Sequence, residues 1–127
     1  MLMDKDKEFE RFLEKNPGCI KERDKRGCTL LHFAASFSRT DMARCLLEHG
    51  ADPNAEDNNG FRPLHDAVSS HSHEVAQMLI MAGAYVNATA GGEMRITPAF
   101  VAKNTSDAQM IKMLQKHGGV ESVSAQI

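Results

Sequence analysis

The sequence has no apolar segment that approaches the ~20 residues needed to cross a bilayer, so it predicts no membrane-spanning helix. The N-terminal stretch MLMDKDKEFER is too polar for the apolar core of a signal peptide. Only three cysteines are present, an odd number without the spacing of a disulfide framework or a zinc site. We therefore expect a reducing compartment inside the cell, either the cytoplasm or the nucleus.

A strong excess of one charge is also missing. The net charge is -2, from 15 basic and 17 acidic residues, which favours no nucleic-acid partner. Gly91-Gly92 is not followed by the Lys-Ser/Thr of a phosphate-binding loop, and Cys19, Cys28 and Cys45 lie in no nucleophile motif. The sequence therefore predicts no catalytic residue and no cofactor, and an enzyme would need residues that we do not find.

What the sequence does contain is internal repetition. Residues 24–55 and 57–88 align at a constant step of 33, and a third copy follows with its helices at a step of 35. The two extra residues fall in the loop Thr89–Met94. Self-similarity at such a period is the signature of stacked repeats. The matched positions include Gly27/Gly60, Leu31/Leu64, His32/His65, Ala34/Ala67, Leu46/Leu79, Gly50/Gly83 and Asn54/Asn87.

Several motifs keep this spacing: Gly-x-Thr-x-Leu-His-x-Ala at 27–34, Pro-Leu-His-x-Ala at 63–67, Thr-Pro at 97–98 and Gly-Ala-Asp-x-Asn-Ala at 50–55. With these motifs, roughly residues 8–120 resemble the ankyrin repeat. The resemblance implies one all-α domain, a solenoid of three repeats and an N-terminal half-repeat helix, joined by β-hairpin-like turns. The expected units are the half-repeat 4–23, repeat one 24–56, repeat two 57–88, repeat three 89–120 and the tail 121–127.

Local patterns predict the ends and buried sides of the helices. In the helix over residues 4–15, Asp4 or Asp6 is the expected cap, and Phe9, Phe12 and Leu13 form one apolar stripe. In repeat one, Thr29 and Asp41 are the expected caps of the two helices. The predicted core positions of the second helices are Met42, Cys45, Leu46, Leu47, Val75, Met78, Leu79, Met110, Ile111, Met113 and Leu114.

The turn between the paired helices departs from the family pattern. Ser38, His71 and Ser106 occupy a position where glycine is usual and a left-handed backbone is often needed. By resemblance, the repeated histidines His32 and His65 bond the neighbouring turn. His71 and His73 are two residues apart and would not share a helix face, so we predict no metal site.

The partner-binding surface also follows from the resemblance. Ankyrin proteins use the concave face, which we define as the turn tips and the exposed side of the first helices. The column Cys28–Phe61–Ile96 forms a predicted apolar strip on this face, although Phe61 packing onto the adjacent turn is an open alternative. The predicted binding residues are Lys25, Arg26, Cys28, Ser36, Phe37, Asn58, Asn59, Phe61, Ser69, Ser70, Met94, Arg95, Ile96, Asn104 and Thr105.

The resemblance leaves two further hypotheses open. Asn54 and Asn87 follow a leucine by eight residues, which is similar to the sites of asparaginyl hydroxylases that act on ankyrin repeats; a turn-stabilising role is the alternative. The expected function is non-catalytic binding of another protein by a monomeric adaptor, scaffold or inhibitor. The alternative is a regulatory or targeting module of a larger multidomain protein.

Overall fold

A computed structural model describes residues 5–121, including seven α-helices. The predicted caps Asp4 and Asp6 and the tail from residue 122 lie outside the residues and side chains that are described. The helices are α1 Lys5–Lys15, α2 Leu30–Ser36, α3 Thr40–Glu48, α4 Pro63–Ser69, α5 His73–Met81, α6 Pro98–Asn104 and α7 Ala108–Lys116.

The helices form two layers. The first helices α2, α4 and α6 pack side by side, and each contacts the second helix of its own pair, α3, α5 or α7. Helix α1 packs against α3, which in turn packs against α5. Helix α1 therefore occupies a second-helix position, as the half-repeat predicts, and the all-α ankyrin solenoid expected from the motifs is confirmed.

The first helices start where the motifs predict. The Thr29 hydroxyl accepts a hydrogen bond from the His32 backbone N–H, and the Thr97 hydroxyl caps α6 through the Phe100 N–H. Proline occupies the first helical position in α4 and α6, where its missing N–H would have no intrahelical partner anyway. The N-termini of these short helices are thus defined by residues next to them in the sequence.

Small residues line the contact between the first helices, and leucines fill the centre of the second-helix layer. Ala34, Ala67 and Ala102 are fully buried at equivalent positions, which lets neighbouring helices approach closely. The repeating leucine column is Leu13, Leu46, Leu79 and Leu114, all fully or almost fully buried. Each repeat therefore buries its apolar face against the next one.

The turns between paired helices adopt the predicted left-handed backbone. Ser38, His71 and Ser106 have φ of 55°, 59° and 56°. A left-handed conformation costs a non-glycine residue roughly 1–2 kcal/mol, so each repeat carries a small local strain that stacking must offset.

Three predictions about packing were wrong in detail. Helix α3 begins at Thr40 after Arg39, so Asp41 lies in its first turn and pairs with Arg44 at 3.0 Å instead of capping. Phe12 is 48% exposed whereas Leu13, on the same predicted stripe, is 1% exposed. Five of the predicted core residues, Met42, Leu47, Met78, Ile111 and Met113, are only partly buried, and the stripe also contains the buried Ala43 and Ala76; the other predicted core residues, Cys45, Leu46, Val75, Leu79, Met110 and Leu114, are buried.

The insertion in repeat three folds into a compact loop. A short 3-10 turn spans Gly92–Met94, and Ala90 pairs with Ile96 in an antiparallel bridge below it. Gly91 and Arg95 on either side both have left-handed backbones, with φ of 76° and 49°. The two extra residues are thereby accommodated without displacing α6 from α4. Within residues 5–121, no helix combines the length and apolar content needed to cross a membrane.

We predict that Leu79→Ala lowers the free energy of unfolding by roughly 2–5 kcal/mol, because it leaves a cavity in the central repeat. Because the array has so few repeats, it has little stability to lose. We therefore expect most of its helices to unfold together. The measurement is denaturant unfolding followed by circular dichroism. Met81→Ala, on the same helix but 73% exposed, is the control. Equal midpoints for parent and Leu79→Ala would contradict the prediction.

Candidate partner-binding face

The turn tips of repeats one and two are built around an aspartate. Asp24 Oδ1 accepts backbone hydrogen bonds from Arg26 and Cys28, each at 2.9 Å. Asp57 Oδ1 likewise accepts backbone hydrogen bonds from Asn59 and Phe61, at 2.8 and 2.9 Å. Each aspartate N–H also donates to the carbonyl four residues on, so both tips are closed turns of fixed shape.

Neighbouring tips are joined by backbone hydrogen bonds. Asn58 N–H donates to Arg26 O at 2.8 Å, and Gly91 N–H donates to Asn59 O at 2.9 Å. Asn58 Nδ2 adds a bond to Lys25 O at 2.9 Å. A Cβ on Gly27 would lie 2.5 Å from Asn58 Oδ1, so only glycine, with its φ of 83°, fits this approach. The tips therefore form one preorganised edge.

Buried histidines connect each first helix to the next turn, as the resemblance implies. His32 Nδ1 accepts from the Thr29 backbone N–H, and its Nε2–H donates to Phe61 O at 3.0 Å. His65 Nε2–H donates to Ala88 O and Ile96 O at 3.1 and 3.0 Å. These bonds require the neutral imidazole, and burial lowers the pKa of both histidines below its usual value.

Most predicted binding residues are exposed on this face. Phe37 is 65% exposed and stacks on Phe33 with ring centroids 6.5 Å apart, while Met94 is 74% exposed at the tip of repeat three. The other exposed members of the predicted set are Lys25, Arg26, Ser36, Asn58, Asn59, Ser69, Arg95, Asn104 and Thr105. The face thus presents two separate apolar side chains among basic and amide groups.

The predicted apolar strip is packed rather than open. Cys28, Phe61 and Ile96 are all half-buried. The Phe61 ring meets the His65 ring edge-on, with centroids 5.4 Å apart at 82°. This ring contact is with α4 of the same repeat rather than with the adjacent turn. Contact between Phe61 and a partner stays a prediction. For this reason Phe37 is the better probe of binding, because its removal disturbs less of the fold.

Two other predicted binding residues also serve the fold. The Ser70 hydroxyl donates to Ala35 O of the preceding repeat at 2.7 Å, and the Thr105 hydroxyl donates to Val101 O at 3.0 Å. Cys28 is a poor nucleophile at neutral pH, because burial and then the carboxylate of Asp24 raise the pKa of its thiol. Whether any of these residues contacts a partner stays a prediction.

Comparison with known proteins agrees with this geometry. The sequence model of the family described as ankyrin repeats, in three copies, matches residues 4–90. The chain belongs to the ankyrin-repeat family. The ankyrin repeat is a protein–protein interaction module and generally has no catalytic role. The match covers the half-repeat and repeats one and two, and α6 and α7 repeat the same helix pair beyond it.

The segments that match this chain belong to much larger proteins. The chain is 45% identical over 69 residues to human "Neurogenic locus notch homolog protein 1", covering 54% of the chain and 3% of that protein. It is 51% identical over 57 residues to the Drosophila melanogaster Notch protein, 45% of the chain and 2% of that protein. Human "BCL-6 corepressor-like protein 1" is 42% identical over 72 residues, 57% of the chain and 4% of that protein.

The two ankyrin-turn asparagines clamp successive repeats together. Asn54 Nδ2 donates to Gly83 O at 3.0 Å, and Asn54 Oδ1 accepts from Tyr85 N–H at 2.8 Å. Asn87 makes the same pair of bonds to Gly118 O and Val120 N–H, at 2.9 and 2.8 Å. This bears out the turn-stabilising role. Hydroxylation of either side chain stays a prediction.

One group of residues at the junction of repeats two and three was not anticipated. His71 is in the left-handed turn rather than in a helix, so both His71 and His73 reach the buried Asp107, at 2.8 and 3.0 Å. Desolvation acts to raise the pKa of Asp107, but hydrogen bonds from His73, His71 and the Met110 N–H outweigh it and lower the pKa to about 2. The helix-face argument failed because position 71 is not helical.

Sequence reasoning also missed a carboxylate on the concave face. Asp66 follows His65 on the first helix α4 and is half-buried. Burial, followed by the negative charge of Asp57, raises the pKa of Asp66 from 3.8 to about 7, while Arg26 and the Ser36 hydroxyl act in the opposite direction. Asp66 is the variable residue of the Leu-His-x-Ala motif, and repeats one and three carry the apolar Phe33 and Val101 at that position. A carboxylate at a position that is apolar in the other repeats was the available signal.

We predict that Asp66→Asn raises the free energy of unfolding at pH 8 by about 1–3 kcal/mol. Because the folded-state pKa is raised, the proton-linked stability from Asp66 is complete below pH 3.8 and is lost as pH rises through about 7. The difference between variant and parent should therefore disappear near pH 4. His32 and His65 lose stability on acidification in both proteins, so their effect cancels in the comparison.

The measurement is the denaturant midpoint of parent and Asp66→Asn at both pH values. Glu48→Gln, an exposed carboxylate on α3, controls for a general effect of removing negative charge. A variant that is equally or less stable than the parent at pH 8 would contradict the assignment of Asp66.

Proposed function

We propose that this chain binds another protein through its concave face and acts without catalysis as an adaptor, scaffold or inhibitor. The observation that carries the proposal is the exposure of Phe37 and Met94 on the same preorganised face as Arg26 and Arg95. Aromatic residues, methionine and arginine are enriched in protein interfaces, and apolar side chains this exposed gain free energy when a partner covers them.

The closed turn tips support this function. Hydrogen bonds within and between the tips already fix the backbone around Arg26 and Asn59. A partner therefore has little backbone left to order on binding, which reduces the entropic cost of association. Ordered loops on a rigid helical scaffold are typical of recognition surfaces.

Asp66 gives the proposed contact a chemical preference. Its carboxylate is half-buried on α4, and a bound partner would exclude more water from it. A partner lysine or arginine placed against it would supply the opposite charge that the neighbouring Asp57 cannot. We therefore propose a partner segment with a basic side chain opposite Asp66 and apolar side chains opposite Phe37 and Met94.

The second candidate function is that of a module within a larger protein. Each relative is matched over only 2–4% of its length. This favours a regulatory or targeting module within a multidomain chain, and one relative is named as a corepressor-like protein. The same binding face would be used in both candidate functions. They differ only in whether the module is joined to further domains of a longer chain.

Phe37→Ala tests the proposal, because it removes an exposed ring whose main contact is Phe33. We expect capture of the partner to fall by about tenfold or more, the loss typical of an aromatic anchor, with an unchanged thermal melt. The measurement is quantitative affinity purification with parent and variant side by side. It is followed by titration of the protein that is captured.

Met81→Ala is the matched control, since it removes an exposed apolar side chain from a second helix. It should capture as much partner as the parent does. If Phe37→Ala also captures as much as the parent, the concave face is not the binding surface.

A further inference from the structure

A pair of glutamates and a histidine meet where α1 packs against α3. Glu10 and Glu14 lie one turn apart on α1 and so share a helix face. His49 follows the last residue of α3. One ligand atom from each of the three side chains lies within 4.8 Å of the other two. Glu10 and His49 are half-buried, whereas Glu14 is exposed.

The repeat register makes these glutamates unusual. Leu13 corresponds to Leu46 and Leu79, so Glu10 stands where repeats one and two have the buried alanines Ala43 and Ala76. Glu14 likewise corresponds to the partly buried Leu47 and Ile80. Two carboxylates have thus replaced apolar residues on the side of the helix that faces the next repeat.

Neither Glu10 nor Glu14 forms an ion pair with any residue whose side chain is described. Like charges one turn apart destabilise a helix by a few tenths of a kcal/mol. A cation between the carboxylates would turn that repulsion into attraction.

The histidine is already arranged as a metal ligand. His49 Nδ1 lies 2.8 Å from Cys45 O, and because a carbonyl oxygen can only accept, Nδ1 carries the proton. In the neutral ring the lone pair is then on Nε2. A backbone carbonyl that fixes the tautomer in this way is the usual outer partner of a metal-bound histidine.

We propose that Glu10, Glu14 and His49 bind a divalent transition-metal ion of the Zn²⁺ type and so fasten the α1 half-repeat to repeat one. Imidazole nitrogen and carboxylate oxygen are both zinc ligands, and three protein ligands with water in the fourth position is the arrangement of an open zinc site. Bonds of about 2.1 Å would require ligand atoms roughly 3.4 Å apart. The two glutamate side chains would have to rotate to bring their oxygens to that distance.

The sequence predicted no metal site because its criterion was local spacing. Glu14 and His49 are 35 residues apart and come together only when α1 stacks on α3. Repeat three offers a natural comparison, since His117 occupies the place of His49. Its facing helix α5 carries Ala76 and Ile80 in place of the glutamates.

The test is thermal unfolding of the whole chain in EDTA and in excess Zn²⁺, for the parent, Glu14→Gln, His49→Gln and His117→Gln. We expect Zn²⁺ to raise the parent Tm by about 5–10 °C, as for a ligand that binds only the folded state. Glu14→Gln and His49→Gln should lose most of this rise, and His117→Gln should keep it. Titration with Co²⁺ should give the visible absorption of a low-coordinate site in the parent and in His117→Gln, but not in Glu14→Gln or His49→Gln.

Glu14→Gln separates a metal ligand from a fold-supporting residue. In EDTA its Tm should equal or exceed that of the parent, because the substitution removes the repulsion between the carboxylates. A parent Tm that does not respond to Zn²⁺ would overturn the proposal. So would an equal rise in Glu14→Gln, which would place any bound zinc on the cysteines or on other histidines.

Discussion

A single helix pair of this chain cannot bury its own apolar side, and every other feature depends on how the pairs meet. Ala34, Ala67 and Ala102 keep the first helices close, and the leucines of the second helices fill the space behind them. Because the contact is between small side chains, it has little tolerance for a change in spacing. The hydrogen bonds of His32, His65, Asn54 and Asn87 then fix that spacing from repeat to repeat.

The parts of the fold that recur in every repeat could be predicted from the sequence. The cap at Thr29, the left-handed backbone at Ser38 and the cross-repeat bond of His32 each depend on local chemistry that the period makes visible. The two-residue insertion was also placed correctly, since the helices on either side keep their own motifs. Asp41 was not predictable in this way. Aspartate is a common capping residue, but Asp41 does not cap α3 because the left-handed turn before the helix sets where it begins.

Contacts between elements distant in sequence were not predictable in the same way. Asp107 and the pair His71 and His73 belong to different repeats, and their approach depends on the height at which one turn stacks on the next. Phe61 is half-buried, and the sequence does not show that its ring meets the His65 ring edge-on. The shifted pKa of Asp66 likewise arises from side chains contributed by two repeats.

The two junctions in the array also differ in chemistry. Between repeats one and two the helix–helix turns meet through the hydroxyls of Ser38 and Ser72, whereas between repeats two and three a buried carboxylate receives two imidazoles. The repeats are therefore not interchangeable parts. Placing repeat one directly before repeat three would bring Ser38 against Asp107 and separate His71 and His73 from that carboxylate, so the linear order of the units is itself part of what the sequence encodes.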